Sequence, residues 1–274
     1  MDIASQLERT PLYDWHVDHD ARMVEFAGWS MPIQYSSIVE EHQLTRNAVG
    51  LFDISHMGRI LVEGPDGGTF LDSLLTRSVA DMKASQIRYS LICNEAGMVL
   101  DDVLVYRPVI NPEKPLGYGL VVNASNREKI VAWLEKHKGS HEVELRDMTK
   151  AYAMISAQGP QAIPLIDQHT ESEVTALRYY TGEMMTVCGV DCFVSRTGYT
   201  GEDGCELICD EDKIATVWEE LVAEATELGG GVVGLAARDT LRLEAGMPLY
   251  GHELTETVNP VAAGLDFAVD LRER

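Results

Sequence analysis

Twice along this chain the apolar period switches between 2 and 3.6 in the same order, and that repeated order limits the fold more than any other feature. The first run opens with the strand-like "GRILVEG" at 58 to 64 and a helical segment around "GTFLDSLLT". It continues through the hairpin "IRYSLIC-NEAG-MVLDDVLVYR", the strand "YGLVVN" and the helix "NREKIVAWLEKHKG", and closes with "HEVELRD". Asn126 is expected to cap that last helix, Ile130, Val131 and Leu134 to give its apolar face, and Gly139 to stop it. The order is β-α-β-β-β-α-β. A second run repeats it with "AYAMISA", a short helix after "QGPQ", strands around "EMMTVCG", "DCFVSR" and "GCELICD", and a helix at 212 to 228. In that helix Ile214, Val217, Trp218, Leu221, Val222, Ala225 and Leu228 keep helical spacing, and Gly229-Gly230-Gly231 follows. The repeat lies in the pattern, with no visible sequence identity. The expected architecture is α+β, two interlocked ferredoxin-like β-α-β units. Residues 1–57 form an N-terminal segment, 58–149 the first unit, and 150–274 the second unit with an additional helix.

The strand of "MVLDDVLVYR" contains two adjacent acids. Alternation puts Met98, Leu100, Asp102, Leu104 and Tyr106 on one face and Val99, Asp101, Val103 and Val105 on the other, so each face is apolar apart from its own Asp. Burying an unpaired carboxylate costs several kcal/mol. At least one of these acids therefore requires specific partners, whether in a structural ion pair or in a functional site.

At 274 residues, with 45% hydrophobic and 24% charged residues, the chain is long enough to bury a sizeable core. Its apolar runs are too short to span a bilayer, and "MDIASQLERTPLYD" has neither a basic n-region nor an apolar h-region, so a cytoplasmic location is expected. The net charge of -22 disfavours nucleic-acid and anionic-membrane partners, because phosphate surfaces are met by clustered Lys and Arg. Five cysteines without C-x-x-C spacing read as reduced core residues.

Nucleotide-binding, zinc-peptidase and serine-hydrolase signatures are absent. His16 and His19, beside Asp14, Asp18 and Asp20, read as a solvated surface in preference to metal ligands, and no metal is expected. His56 reads as a structural histidine beside Met57. The stretch "SRTGYTGEDGCEL" has the composition of a backbone-shaped binding loop, in which Tyr199 offers a ring and Glu206 an acceptor, although a plain glycine-rich hairpin fits equally. Arg238 and Arg242 lie one helical turn apart in "GLAARDTLRLEAG". They suit either a ligand carboxylate or ion pairs with Asp239 and Glu244.

Several of these segments occur together, in order, in one family. From "RTPLYDWHV", "MVEFAGWSMPIQY" and "VGLFDISHMGRILVEGPD" through "NEAGMVLDDVLVY" to "ISAQGPQA", "VSRTGYTGEDGCEL" and "GLAARDTLRLEAGMPLYGHEL", the chain resembles the aminomethyltransferases of the glycine cleavage system, the T-proteins. The similarity runs over essentially its whole length.

The resemblance implies a folate-binding aminomethyltransferase fold whose core the segment 1–57 completes. It implies an enzyme that takes the aminomethyl group from the lipoyl arm of the H-protein, releases ammonia and gives 5,10-methylenetetrahydrofolate. Tetrahydrofolate is then a co-substrate and the lipoylated H-protein the partner. The second acid of the D-D pair, Asp102, matches the essential one. Residues matching Met57, Tyr89, Leu104, Tyr106, Tyr199, Glu206 and Arg238 hold the pterin and its surroundings. Met247 stands where members of the family often have Tyr, and that contact is not carried over. Such proteins continue past "GLDFAVDL" into a barrel-like domain, which these 274 residues do not include. Two alternatives share the fold: a non-catalytic folate-binding protein, whose K-G-C-Y-x-G-Q segment does not occur here, and the folate domain of a sarcosine- or dimethylglycine-type demethylase, which needs a flavin domain.

Overall fold

The computed structural model describes residues 7–108 and 117–270. Strands are β1 (Glu8–Arg9), β2 (Arg22–Phe26), β3 (Trp29–Gln34), β4 (Gly50–Asp53), β5 (Gly58–Glu63), β6 (Ile87–Cys93), β7 (Val99–Tyr106), β8 (Tyr118–Val122), β9 (Glu144–Asp147), β10 (Tyr152–Gln158), β11 (Gly182–Val187), β12 (Val190–Ser195), β13 (Gly204–Asp210) and β14 (Gly231–Val232). The α-helices are α1 (Tyr13–Asp18), α2 (Ile38–Asn47), α3 (Gly67–Asp72), α4 (Arg127–His137), α5 (Ala162–Gln168), α6 (Ile214–Glu227) and α7 (Leu235–Glu244). Two compact units form, one from residues 1–56 with 150–247, the other from 57–149 with 248–274.

The unit built on 57–149 carries a five-stranded antiparallel sheet in the order β6-β7-β8-β5-β9. Placing β5 between β8 and β9 is the split arrangement that the element order predicts. One sheet face buries Ile60, Val62, Ile92, Val103, Val105, Leu120 and Val122 against Phe70 and Leu71 of α3 and Ile130 and Leu134 of α4. Each such fully buried aliphatic contributes about 1.5–3 kcal/mol of transfer free energy. A β-bulge after Ile92 alters the expected alternation, so that Leu100 joins this core instead of sharing a face with Asp102. Residues 248–270 also belong here and not to the unit begun at 150: Leu254, Leu265 and Ala268 cluster with Leu91 and Val99, and the Val99 amide donates to the Val258 carbonyl at 3.0 Å. The reason is local: Leu91 and Val99 leave an apolar site on the second face of the sheet that this segment fills.

The other unit repeats the pattern in the order β11-β12-β13-β10-β4-β14. Here β4 takes the place beside β10 that β9 takes beside β5, and β14 pairs parallel to β4. Ala153, Ile155, Ala157, Cys192, Val194, Cys205, Leu207 and Cys209 pack against α5 and α6, including the fully buried Trp218. The small sheet β1-β3-β2 and helix α2 complete this unit.

His16 departs from the solvated surface expected for it. It is fully buried, its Nε2 lies 2.9 Å from Asp53 Oδ2, and its Nδ1 lies 2.8 Å from the Tyr35 hydroxyl. His19 is exposed and stacks on Trp15. Desolvation opposes the Asp53 charge, yet the hydrogen bond and charge of His16, with Thr10 and the Ser55 amide, hold its carboxyl down at about 2. A carboxyl lowered on folding contributes stability above its unfolded value of about 4. That contribution is expected to disappear as pH falls from about 4 through about 2. Asp53→Ala leaves His16 buried without its acid and should cost about 3 kcal/mol or more at neutral pH, with the difference narrowing in acid, as read by urea melts across pH.

Candidate active site

Within the unit built on 57–149, the second face of the sheet is where charge enters. Cross-strand pairs point the same way, so Tyr89 with Leu104, and Leu91 with Asp102, share that face, as do Val121 and Arg59 across β8 and β5. Tyr106 follows in register and is buried, whereas Tyr89, Asp102 and Leu104 are half-buried. Met57, at the entrance to β5, is half-buried, and its carbonyl accepts from Arg59 Nη1 at 2.7 Å. Phe267 stacks on Tyr89 with ring centroids 5.9 Å apart.

The two acids have different surroundings. Asp101 is fully buried: its Oδ1 accepts from Asn126 Nδ2 at 2.6 Å and Asn123 Nδ2 at 2.8 Å, and its Oδ2 from the Asn123 amide at 3.1 Å. Asp102 Oδ1 accepts from the same Asn123 Nδ2 at 2.8 Å, and Oδ2 from the Tyr89 hydroxyl at 3.2 Å. A side-chain amide has two hydrogens, and Asn123 places one on each carboxylate. The expected helix cap at Asn126 is therefore not made. Asn126 sits at the N-cap position without a side-chain cap bond, because its amide is committed to Asp101. Burial pushes both carboxyls above the ordinary range; the neighbouring charge of Asp102 adds to the effect on Asp101, while the amide and hydroxyl donors oppose it. Such neighbours titrate as a dyad.

The unit containing 150–247 presents a second group of polar residues, again on the sheet face away from its helices. Ser156, Glu206 and Ser195 stand in cross-strand register on β10, β13 and β12. Glu206 is buried and its Oε2 accepts from the Thr197 hydroxyl at 2.5 Å. Burial raises its carboxyl, with Thr197 and Arg238 opposing. The loop that carries Tyr199 is fastened to Gln158, whose Nε2 donates to the Thr197 carbonyl at 3.1 Å and whose Oε1 accepts from the Thr200 hydroxyl at 3.0 Å. Gly198 is required by that approach, since a Cβ there would stand 2.0 Å from Gln158 Oε1. The Arg238 guanidinium lies over the Tyr199 ring, 4.9 Å from its centroid, within the range of a cation–π contact. Its Nη1 is buried with no hydrogen-bond partner among the described residues. Burial lowers the Arg238 pKa, and Glu206 and Tyr199 counter it.

The two arginines of α7 do not act together. Arg242 is almost fully buried, with Nε donating to Asp239 Oδ1 at 2.8 Å and Nη1 to the Met247 carbonyl at 3.1 Å, so it closes the helix end. Glu244 pairs with Arg46 and His42 instead. Asn123 and Asn126 are the site residues that sequence reasoning missed. Their only signal is position, an Asn just past a buried strand and another three residues on.

Residues 12–273 match the family model described as the GCVT N-terminal domain. The aminomethyltransferase of Caldanaerobacter subterraneus subsp. tengcongensis is 42% identical over 269 residues, covering 98% of this chain and 71% of that protein. The crystal structure of the glycine cleavage system aminomethyltransferase T from Bartonella henselae superposes with a TM-score of 0.87 at 36% identity, over 97% of this chain and 70% of that one. Heterotetrameric sarcosine oxidase from Corynebacterium sp. U-96 reaches a TM-score of 0.55 at 12% identity over 82% of this chain and 98% of that one, a likeness of fold alone.

Removing the amide shared by the dyad, as in Asn123→Ala, deletes a donor that favours the ionised carboxylates. The acid limb of a turnover–pH profile is then expected to move to higher pH, with far-UV circular dichroism unchanged. The chain belongs to the aminomethyltransferase family of the glycine cleavage system, to which its GCVT N-terminal domain assigns it.

Proposed function

We infer that Asp102 is the group that manages the proton in aminomethyl transfer to tetrahydrofolate, with the lipoylated H-protein as donor. The observation that carries this assignment is the division of labour in the dyad. Asp101 is saturated by three donors from Asn123 and Asn126, whereas Asp102, half-buried, accepts from one amide hydrogen and the Tyr89 hydroxyl. Of the two, Asp102 retains accepting capacity toward a ligand.

The chain's residues fit a pterin in their chemistry. Arg238 has a buried N–H group without a hydrogen-bond partner among the described residues, suited to an oxygen or carboxylate acceptor. Tyr199 offers a ring for stacking, and Glu206 an acceptor for the N–H groups of an aminopyrimidinone edge. On the β6–β7–β8 face Met57, Tyr89, Leu104 and Tyr106 supply apolar and aromatic surface. In this reaction Asp102 accepts or orients the proton of the attacking nitrogen; one C–N bond forms at the methylene carbon as the amine leaves with a proton as ammonia, and a second forms to the other folate nitrogen as the carbon–sulfur bond to the lipoyl arm breaks and the sulfur leaves as a thiol with that nitrogen's proton. Tyr89, donating to Asp102, fixes the orientation of its carboxylate. Other members of the family work as parts of the glycine cleavage system, and the same setting is read for this chain.

The test compares the two acids. With aminomethylated H-protein and tetrahydrofolate as substrates, Asp102→Asn should lower ammonia release by about 100- to 10,000-fold while folate affinity changes far less. Asp101→Asn should lose less turnover and more thermal stability, because the amide keeps one accepting oxygen and turns its NH2 group against a donor, the Asn123 backbone N–H that Oδ2 now satisfies. Equal turnover losses in the two variants would remove the assignment.

A further inference from the structure

Away from these residues, in the unit containing 150–247, three potential ligands meet. We propose that His169, Cys188 and Glu220 form a binding site for a borderline divalent cation of the zinc class, with a fourth position left to water. Their ligand atoms, a ring nitrogen, a sulfur and a carboxylate oxygen, all lie within 4.8 Å of one another. Around tetrahedral zinc, bonds of about 2.0–2.3 Å put ligand atoms roughly 3.3–3.8 Å apart. No pair therefore has to close by more than about 1–1.5 Å, within reach of side-chain rotation.

Backbone structure holds two of the three together. His169 follows the last residue of α5, and its carbonyl accepts from the Cys188 amide at 2.9 Å, beside a bridge between Thr170 and Val187. Cys188 occupies the first place in the two-residue turn between β11 and β12, where φ is 51° for Cys188 and 73° for Gly189. Left-handed turns of this kind favour Asn or Asp in that place, so turn chemistry does not account for a cysteine. Glu220 comes from the exposed side of α6. His169 Nε2 is buried and has no hydrogen-bond partner among the described residues. A buried nitrogen left bare costs free energy that a bound cation, or a proton donor, removes.

The ligand set is a neutral imidazole, a thiolate and a carboxylate, the mixture that selects borderline metals over calcium or magnesium. Binding replaces the Cys188 S–H proton, which leaves to solvent as the sulfur–metal bond forms. Because the thiol must lose its proton to bind, affinity is expected to rise with pH. The chain's net charge of -22 further favours cation uptake. Five residue steps along β12 lead from Val190, next to this turn, to Ser195 beside Glu206, roughly 17 Å of strand. The site is thus distinct from the Tyr199–Glu206–Arg238 group, and its role would be to staple the β11–β12 turn to α5 and α6. This departs from the expectation of no metal drawn from sequence, where the 169, 188 and 220 spacing matches no motif.

The whole chain, stripped with chelator, is titrated with Zn²⁺ by calorimetry and with Co²⁺ by absorption spectroscopy. One equivalent should bind, with a near-ultraviolet thiolate-to-cobalt band and a rise in Tm on adding zinc. Cys188→Ser should abolish the band, and His169→Gln and Glu220→Gln should weaken zinc by more than the ~10- to 100-fold typical of outer-shell changes. Cys93→Ser should keep both. Melting each variant in chelator separates loss of a ligand from loss of folding. No zinc uptake, a cobalt spectrum without a thiolate band, or zinc affinity unchanged in folded Cys188→Ser and Glu220→Gln would overturn the site.

Discussion

Two carboxylates on consecutive residues of a buried strand are the constraint around which the 57–149 unit is arranged. Like charges this close repel, and each loses hydration, so the strand is tolerable only where donors reach both acids. A single side chain, Asn123, reaches both at 2.8 Å. It does so because it lies one residue beyond the end of β8, the strand paired to β7. Asn126 joins from the start of α4 and forgoes a capping bond for its own helix. The consequence is an asymmetric pair, one acid fully engaged in the protein and the other left with room to accept.

The same architectural device appears in the second unit. Each sheet buries one face under two helices, α3 with α4 and α5 with α6, and its opposite face admits an acid, Asp102 or Glu206, among apolar and polar neighbours. That division explains why Glu206 is tolerated in a central strand. Its neighbours in register, Ser156 and Ser195, are polar, and Thr197 donates to it. The Gly198 approach to Gln158 then fixes the loop so that Tyr199 lies under Arg238. Buried ionic groups that hold single partners on each side are costly as stability devices. Their arrangement is better understood as preorganisation, in which the polar groups are held before a ligand arrives.

Periodicity by itself determined most of the elements. Strand and helix order, the two β-α-β-β-β-α-β runs, the apolar face of α4 and the near-continuous stripe of α6 follow from local spacing, which is set by 2.0- and 3.6-residue geometry. The acids of β7, the Tyr199 loop and the α7 arginines were visible as residues out of keeping with their surroundings, and the family motifs gave them an order. Only the tertiary structure decided which partners they have. The bulge that moves Leu100 into the core, the return of 248–270 onto Leu91 and Val99, and the burial of His16 against Asp53 all depend on surfaces made by distant segments. Arg238 and Arg242 are equivalent in a helical projection, yet one closes its own helix while the other lies over Tyr199. The physical reason is common to all of these: backbone period is a property of neighbouring residues, whereas desolvation and hydrogen-bond satisfaction are settled by groups remote in the chain, so the fold is legible locally and the chemistry of its acids is not.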